Sequence, residues 1–183
     1  MMNYLDHQYY HVYNRGAHKG KLFFSDENDR YCLRLVEKYR KIYQVSIVCY
    51  CLMPNHYHFI LQQESGGSIS RFLQMTFNAY TQAVNREQRR SGTMSQGRAK
   101  GLLVDDDKYL VQLVRYIHLN PVVAGLVAKP EEWEFSDYEN WITPAEGPEI
   151  RRMYFPDSDE YKSFVEEYKD ERDRDLLTKY IVG

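Results

Sequence analysis

Cysteine is scarce in this 183-residue chain, and the three present, Cys32, Cys49 and Cys51, cannot build a disulfide framework. No CxxC or CxxxC spacing occurs among them, so they are expected to be small buried hydrophobes. Long apolar runs are missing as well. The longest, VSIVCYCLM (residues 45–53), falls far short of the roughly 20 residues needed to cross a bilayer. The opening MMNYLDHQYY has no basic stretch leading into an apolar one, the mark of a secretory signal. These absences predict a cytoplasmic protein with no membrane attachment. Excess positive charge is missing too: 24 Lys and Arg stand against 26 Asp and Glu, a net −2 that argues weakly against nucleic acid.

The distribution of charge reverses that argument. Residues 1–104 carry 14 Lys and Arg against 7 Asp and Glu, and residues 105–183 carry 10 against 19. A basic body with an acidic tail can offer phosphate a positive face while the whole chain stays nearly neutral. With 43% hydrophobic residues the chain can bury a substantial core, and its length suits one domain plus an extension. The segment TPAEGP (residues 143–148) reads as a linker. The expected division is a domain over residues 1–143 and an acidic helical extension over residues 144–183.

Alternation in YYHVYNRG puts Tyr10, Val12 and Asn14 on one face of a strand and His11, Tyr13 and Arg15 on the other. SDENDRYCLRLVEKYRKIY opens with a cap at Ser25 or Asp26; Tyr31, Leu35, Tyr39 and Ile42 then mark the apolar face of a helix. VSIVCYCLM and HYHFILQQ form a hairpin about Pro54 and Asn55. A second helix starts after Ser68 with the stripe Ile69, Phe72, Leu73, Phe77, Tyr80 and Val84, and ends in Arg86, Arg89 and Arg90. A Gly/Ser-rich loop and a short strand follow. Asp105 or Asp106 caps a third helix, which Pro121 is expected to interrupt, leaving Asn120 splayed at its end. A charged helix, expected at the surface, is read over residues 161–180. The order strand, helix, strand, strand, helix, strand, helix predicts an α+β, ferredoxin-like sandwich, a mostly antiparallel sheet with helices packed on it, plus a C-terminal helical tail.

Two constellations carry chemistry. His56 and His58 are two apart on a strand, so both imidazoles face one way while Tyr57 and Phe59 face the other. That spacing suits chelation of one ion, though two histidines need a further ligand to complete a site. An oxygen ligand would fit Mg²⁺ or Mn²⁺. The remaining histidines, His7, His11, His18 and His118, are scattered and are expected at the surface. On the third helix Tyr116 and Asn120 are four apart and share a face. With 17 tyrosines in the chain, spacing alone does not separate chemistry from packing at Tyr116.

Together MPNHYHFIL, SQGR and RYIHLNPVVAGLV resemble the single-tyrosine transposases of the HUH endonuclease superfamily, in particular the branch associated with repetitive extragenic palindromes (REP). YHVYNRG is similar to that branch's first strand and PEEWEFSDYENW to its Trp-Ser-Ser-Tyr region, so the resemblance spans residues 8–143. It implies metal binding by His56 and His58, a nucleophilic role for Tyr116, and completion of the metal site by Asn120. It also implies DNA cleavage and rejoining through a covalent 5′-phosphotyrosine with one Mg²⁺ or Mn²⁺. The implied partner is single-stranded or hairpin DNA, handled by a monomer or a homodimer. Candidate DNA contacts are Asn14, Arg15, Arg86, Arg89, Arg90, Arg98 and Lys100. Val123 and Ser95 stand where many relatives have arginine and an aromatic residue. Two other readings are open: a non-catalytic hairpin or single-strand binding protein on the same fold, and a metal-dependent phosphodiesterase that uses water.

Overall fold

The computed structural model describes residues 3–143 and 149–167. The chain divides into two compact units, residues 1–105 and 106–183.

The first unit is a four-stranded antiparallel sheet with two helices. Its elements are β1 (Tyr9–Arg15), α1 (Asp26–Ile42), β2 (Val45–Met53), β3 (His56–Gln63), α2 (Ile69–Glu87) and β4 (Lys100–Val104). The strand order β2-β3-β1-β4, antiparallel at every pairing, is the ferredoxin-like arrangement the sequence predicts. Each helix starts where a serine accepts a hydrogen bond from an otherwise unpartnered amide: Ser25 from the Asn28 N–H and Ser68 from the Arg71 N–H. The Asn28 side-chain amide donates to Glu87 at 2.8 Å, tying the start of α1 to the end of α2.

The two helices cover the sheet face that carries Tyr10, Val12, Tyr57 and Phe59. Phe77 of α2 stacks on Tyr57 with ring centroids 4.2 Å apart and planes 6° from parallel. Such a pair contributes about 0.5–1.5 kcal/mol beyond its buried area. The Tyr80 hydroxyl donates to the Leu22 carbonyl at 2.8 Å. The expected face of α2 is buried at Ile69, Phe72, Leu73, Tyr80 and Val84. In α1 the buried apolar positions are Cys32, Leu35 and Val36, with Ile42 exposed. The face is rotated from the expected one, and Ile42 lies in the last turn, where the chain leaves the helix for β2. All three cysteines are buried and reduced.

The second unit holds α3 (Asp107–Val123), α4 (Tyr138–Ile142), α5 (Glu149–Tyr154) and α6 (Ser158–Glu166). Asp106 caps α3 by accepting from the Tyr109 N–H at 2.6 Å. Pro121 does not interrupt α3. It removes one N–H only three residues from the end, and the Ala124 N–H still bonds the Asn120 carbonyl at 2.9 Å. Asn120 therefore lies within the helix rather than splaying from it. The charged C-terminal helix is buried along one side, at Tyr161 and Val165, and Tyr161 packs on Trp141 of α4. Its expected continuation beyond residue 167 and most of the linker lie outside the described residues.

The turn that carries the histidine strand is anchored by backbone bonds. The Asn55 carbonyl accepts from the Gly16 N–H at 2.8 Å, and the Pro54 carbonyl accepts from Leu22 and Phe23. Residue 16 must be glycine, because a Cβ there would sit 1.9 Å from the Gly20 carbonyl oxygen, a backbone atom that no side-chain rotation can move. Gly16→Ala is expected to lower stability by about 1–3 kcal/mol, read as a reduced urea midpoint at unchanged slope.

Candidate functional site

Antiparallel pairing of β1 with β3 sets Tyr13 opposite His58 and Arg15 opposite His56. The face opposite α1 and α2 thus carries a row of three imidazoles. His56 and His58 have ring centroids 5.1 Å apart and lie edge to face at 84°. His58 and His11 are also 5.1 Å apart, but nearly parallel at 17°. Two of the rings are buried, His11 fully and His58 at 3% exposure.

Each member of the expected pair is oriented through Nδ1. His56 Nδ1 lies 2.6 Å from the Asn55 side-chain oxygen, an acceptor, so His56 carries its proton on Nδ1 and offers Nε2 as a ligand atom. His58 Nδ1 lies 2.9 Å from His11 Nε2. Burial pulls the His11 pKa down to about 3. Burial, together with the neighbouring His11 and His56, holds the His58 pKa well below the usual imidazole value. Both buried rings are therefore neutral near pH 7, as metal ligation requires. A ligating histidine characteristically gives its other N–H to a neighbouring acceptor, which fixes tautomer and ring orientation. Asn55 fills that place for His56, and His11 fills it for His58 when the His11 Nε2 is the acceptor, a donor set that fits a divalent ion. His11 is thus not the surface residue the sequence suggested. Its pairing with His58 depends on the β1–β3 register, which no local pattern reveals.

The two flanking motifs meet at the same end of the sheet. The Ala17 N–H bonds the Met94 carbonyl and the Gln96 N–H bonds the Arg15 carbonyl, both at 2.8 Å. Arg15 Nε donates to the Gln96 side chain. The buried Asn14 side chain donates to the Gly97 carbonyl at 3.2 Å and accepts from the Arg15 N–H at 2.9 Å. Asn14 and Arg15, expected as DNA contacts, are thereby engaged in holding the 94–97 segment against the end of β1. Arg98 is exposed beside them. Lys100 reaches over the Tyr13 ring, 5.8 Å from its centroid. Arg86, Arg89 and Arg90 are exposed at and beyond the C-terminal end of α2, where cations also suit the helix dipole. Arg90 lies 5.8 Å from the centre of the Phe24 ring.

In the second unit Tyr116 is half-buried and Asn120 buried, one turn apart on α3. The Asn120 side-chain NH₂ donates to the Tyr116 carbonyl at 3.3 Å, which makes Oδ1 the atom it would offer to a cation. His118, expected at the surface, is fully buried. Its Nδ1 lies 2.5 Å from the Tyr161 hydroxyl and its Nε2 3.0 Å from Asp137, whose other oxygen accepts from the Trp141 indole N–H at 3.1 Å. That network pins α3 to α4 and α6.

Residues 4–118 match the model of a family described as "Transposase IS200 like". A relative from Haemophilus influenzae described as a REP-associated tyrosine transposase is 24% identical, the alignment covering 75% of this chain and 90% of the relative. A solved structure of a REP-associated tyrosine transposase bound to a REP hairpin superposes with a TM-score of 0.68 at 18% identity, covering 82% of this chain and 88% of that one. The resemblance read from the motifs is borne out, and so is the fold.

The orientation of His58 by His11 predicts the outcome of a metal titration. His11→Ala is expected to weaken Mn²⁺ binding, followed by electron paramagnetic resonance without DNA, about 10–100-fold. His11→Gln, which restores an acceptor near the Nε2 position, should recover most of the loss. Equal affinities in all three proteins would remove His11 from the site.

Proposed function

The chain belongs to the IS200-like transposase family, and from that premise we propose that it cuts and rejoins one DNA strand at hairpin-forming repeats, using Tyr116 as nucleophile. The observation that carries this reading is the pair His56 and His58 on one face of β3, ring centroids 5.1 Å apart, with His58 buried beside His11. A neutral imidazole is what metal ligation needs, and burial keeps His58 neutral. His56 and His58 would hold a divalent cation through Nε2, and the family resemblance assigns Asn120 as a further, oxygen ligand. Bound there, Mg²⁺ or Mn²⁺ would supply charge neutralisation at the scissile phosphate.

The chain's own groups account for the remainder. Tyr116 gives up its phenolic proton and its oxygen bonds to phosphorus. The bond from phosphorus to the 3′ oxygen breaks, and that oxygen takes a proton. The products are a 5′-phosphotyrosine and a free 3′ hydroxyl. The exchange of one phosphodiester for another keeps the bond energy, so attack by a 3′ hydroxyl on the phosphotyrosine reseals the strand. Arg98, Lys100 and the Arg86, Arg89 and Arg90 group provide cations for the phosphate backbone. Asn14 and Arg15 are further candidate contacts at the end of β1, and they also hold the loop that presents Arg98.

The decisive experiment mixes the protein with hairpin DNA bearing single-stranded flanks and a divalent ion, then denatures the sample. A covalent protein–DNA adduct is expected from the wild type and none from Tyr116→Phe, with DNA affinity retained. Cleavage without an adduct would instead indicate attack by water. Intact DNA in every sample would indicate a binding protein. Affinity should also fall steeply as salt rises, since phosphate contacts release counterions.

A further inference from the structure

We propose that Lys100 is the acid of the cleavage step, giving a proton to the departing 3′ oxygen from its place on the Tyr13 ring. The inference rests on the DNA-cutting reading above and adds a catalytic group to it. The exchange at phosphorus is uneven. The entering phenol ionises with a pKa of about 10, whereas the departing 3′ alkoxide is a far stronger base. A group placed to protonate that oxygen is worth roughly 10²–10⁴-fold in rate.

The strand register brings such a group to the histidine face. Lys100 of β4 stands opposite Tyr13 of β1, and Tyr13 stands opposite His58 of β3. Residues directly opposite in antiparallel strands point to the same side of the sheet. Lys100, Tyr13 and His58 therefore form a row across three neighbouring strands. The rings of Tyr13 and His58 are 5.9 Å apart, and Lys100 Nζ lies 5.8 Å from the centre of the Tyr13 ring. Two strand spacings separate Lys100 from His58, about 10 Å of backbone. The four-carbon stem can bring the ammonium to a phosphate seated between them.

The setting of Lys100 differs from that of the other cation on this face. Its side chain is exposed, and among the described residues no carboxylate pairs with it. A ring face attracts an ammonium without consuming its N–H groups, so all three remain to be donated. Arg15 stands opposite His56, but its Nε is engaged by Gln96. A guanidinium also keeps its proton, so Arg15 can neutralise phosphate but cannot act as an acid.

In the proposed step the Tyr116 oxygen bonds to phosphorus and its phenolic proton passes to solvent. The bond from phosphorus to the 3′ oxygen breaks, and that oxygen takes a proton from the Lys100 ammonium. The neutral amine left behind regains a proton from water. In rejoining, the amine form of Lys100 takes the proton of the attacking 3′ hydroxyl.

The test compares hairpin DNA that has oxygen or sulfur at the 3′ bridging position of the scissile phosphate. A thiolate leaves without being protonated, so sulfur removes the need for an acid. Cutting by the full chain in Mn²⁺ is followed as covalent adduct in a single turnover. Affinity for uncut DNA is measured separately in EDTA by fluorescence anisotropy. Lys100→Gln should cut the oxygen DNA about 100-fold more slowly and the sulfur DNA at nearly the wild-type rate. Lys100→Arg should bind as wild type does without regaining the rate on oxygen DNA. Tyr13→Phe, which keeps the ring face, should behave as wild type on both. Equal slowing on both DNAs in Lys100→Gln, or full rate on oxygen DNA in Lys100→Arg, would reduce Lys100 to a phosphate contact and overturn the proposal. Slow cutting rescued by sulfur in Tyr13→Phe would overturn it in favour of the phenol. Absence of any adduct from wild type on either DNA would overturn the transposase reading itself.

Discussion

The proposed chemistry depends on one constraint: each of two imidazoles must keep its Nδ1 occupied so that Nε2 can hold an ion. His56 meets it within its own turn, through the Asn55 side chain at 2.6 Å. His58 meets it across the sheet when the His11 Nε2, 2.9 Å away, is the acceptor. The second arrangement exists only because β1 and β3 pair in one register. A slip of a single residue would turn His11 to the opposite face, among the helices. The fold positions the site chiefly by fixing that register.

The other contacts at this end of the sheet serve the same purpose. Gly16 lets the chain fold back on Gly20 and sends its N–H to the carbonyl of Asn55, the residue that orients His56. Arg15 and Asn14 hold the 94–97 segment through side-chain and backbone bonds. The turn at Pro54 and Asn55, the Asn-Arg-Gly strand end and the Ser-Gln-Gly-Arg loop are far apart in sequence and joined in one backbone network. A change in any of them is transmitted to the histidines through backbone, which yields less readily than side chains. His118 shows another arrangement of a buried histidine: its two ring nitrogens lie against Tyr161 and Asp137.

Much of this was legible in the sequence, because the informative patterns were local. Period-two alternation placed His56 and His58 on one face, the caps at Ser25 and Ser68 marked helix starts, and the order of elements gave the sheet. What stayed hidden was non-local. His11 looked like an isolated surface histidine because its partner is 47 positions away and the register that joins them is a tertiary fact. His118 was misjudged for the same reason, its partners lying on later helices. Pro121 suggested a helix end because the rule for proline is local, whereas here it costs α3 one backbone hydrogen bond while the buried residues around it stay packed. Asn14 and Arg15, read as DNA contacts, also hold the neighbouring loop, a role that rests on pairing across about 80 positions of sequence.

The most direct test of the central claim is the protonation state of the histidine rings, read by long-range ¹H–¹⁵N correlation spectroscopy near pH 7 on protein saturated with Mg²⁺. The account predicts that His56 and His58 are both neutral and carry their proton on Nδ1, with the Nε2 resonances of both rings shifted by the ion. A proton on Nε2 of His58 in the metal-saturated protein would contradict it, because that nitrogen could not then be a ligand.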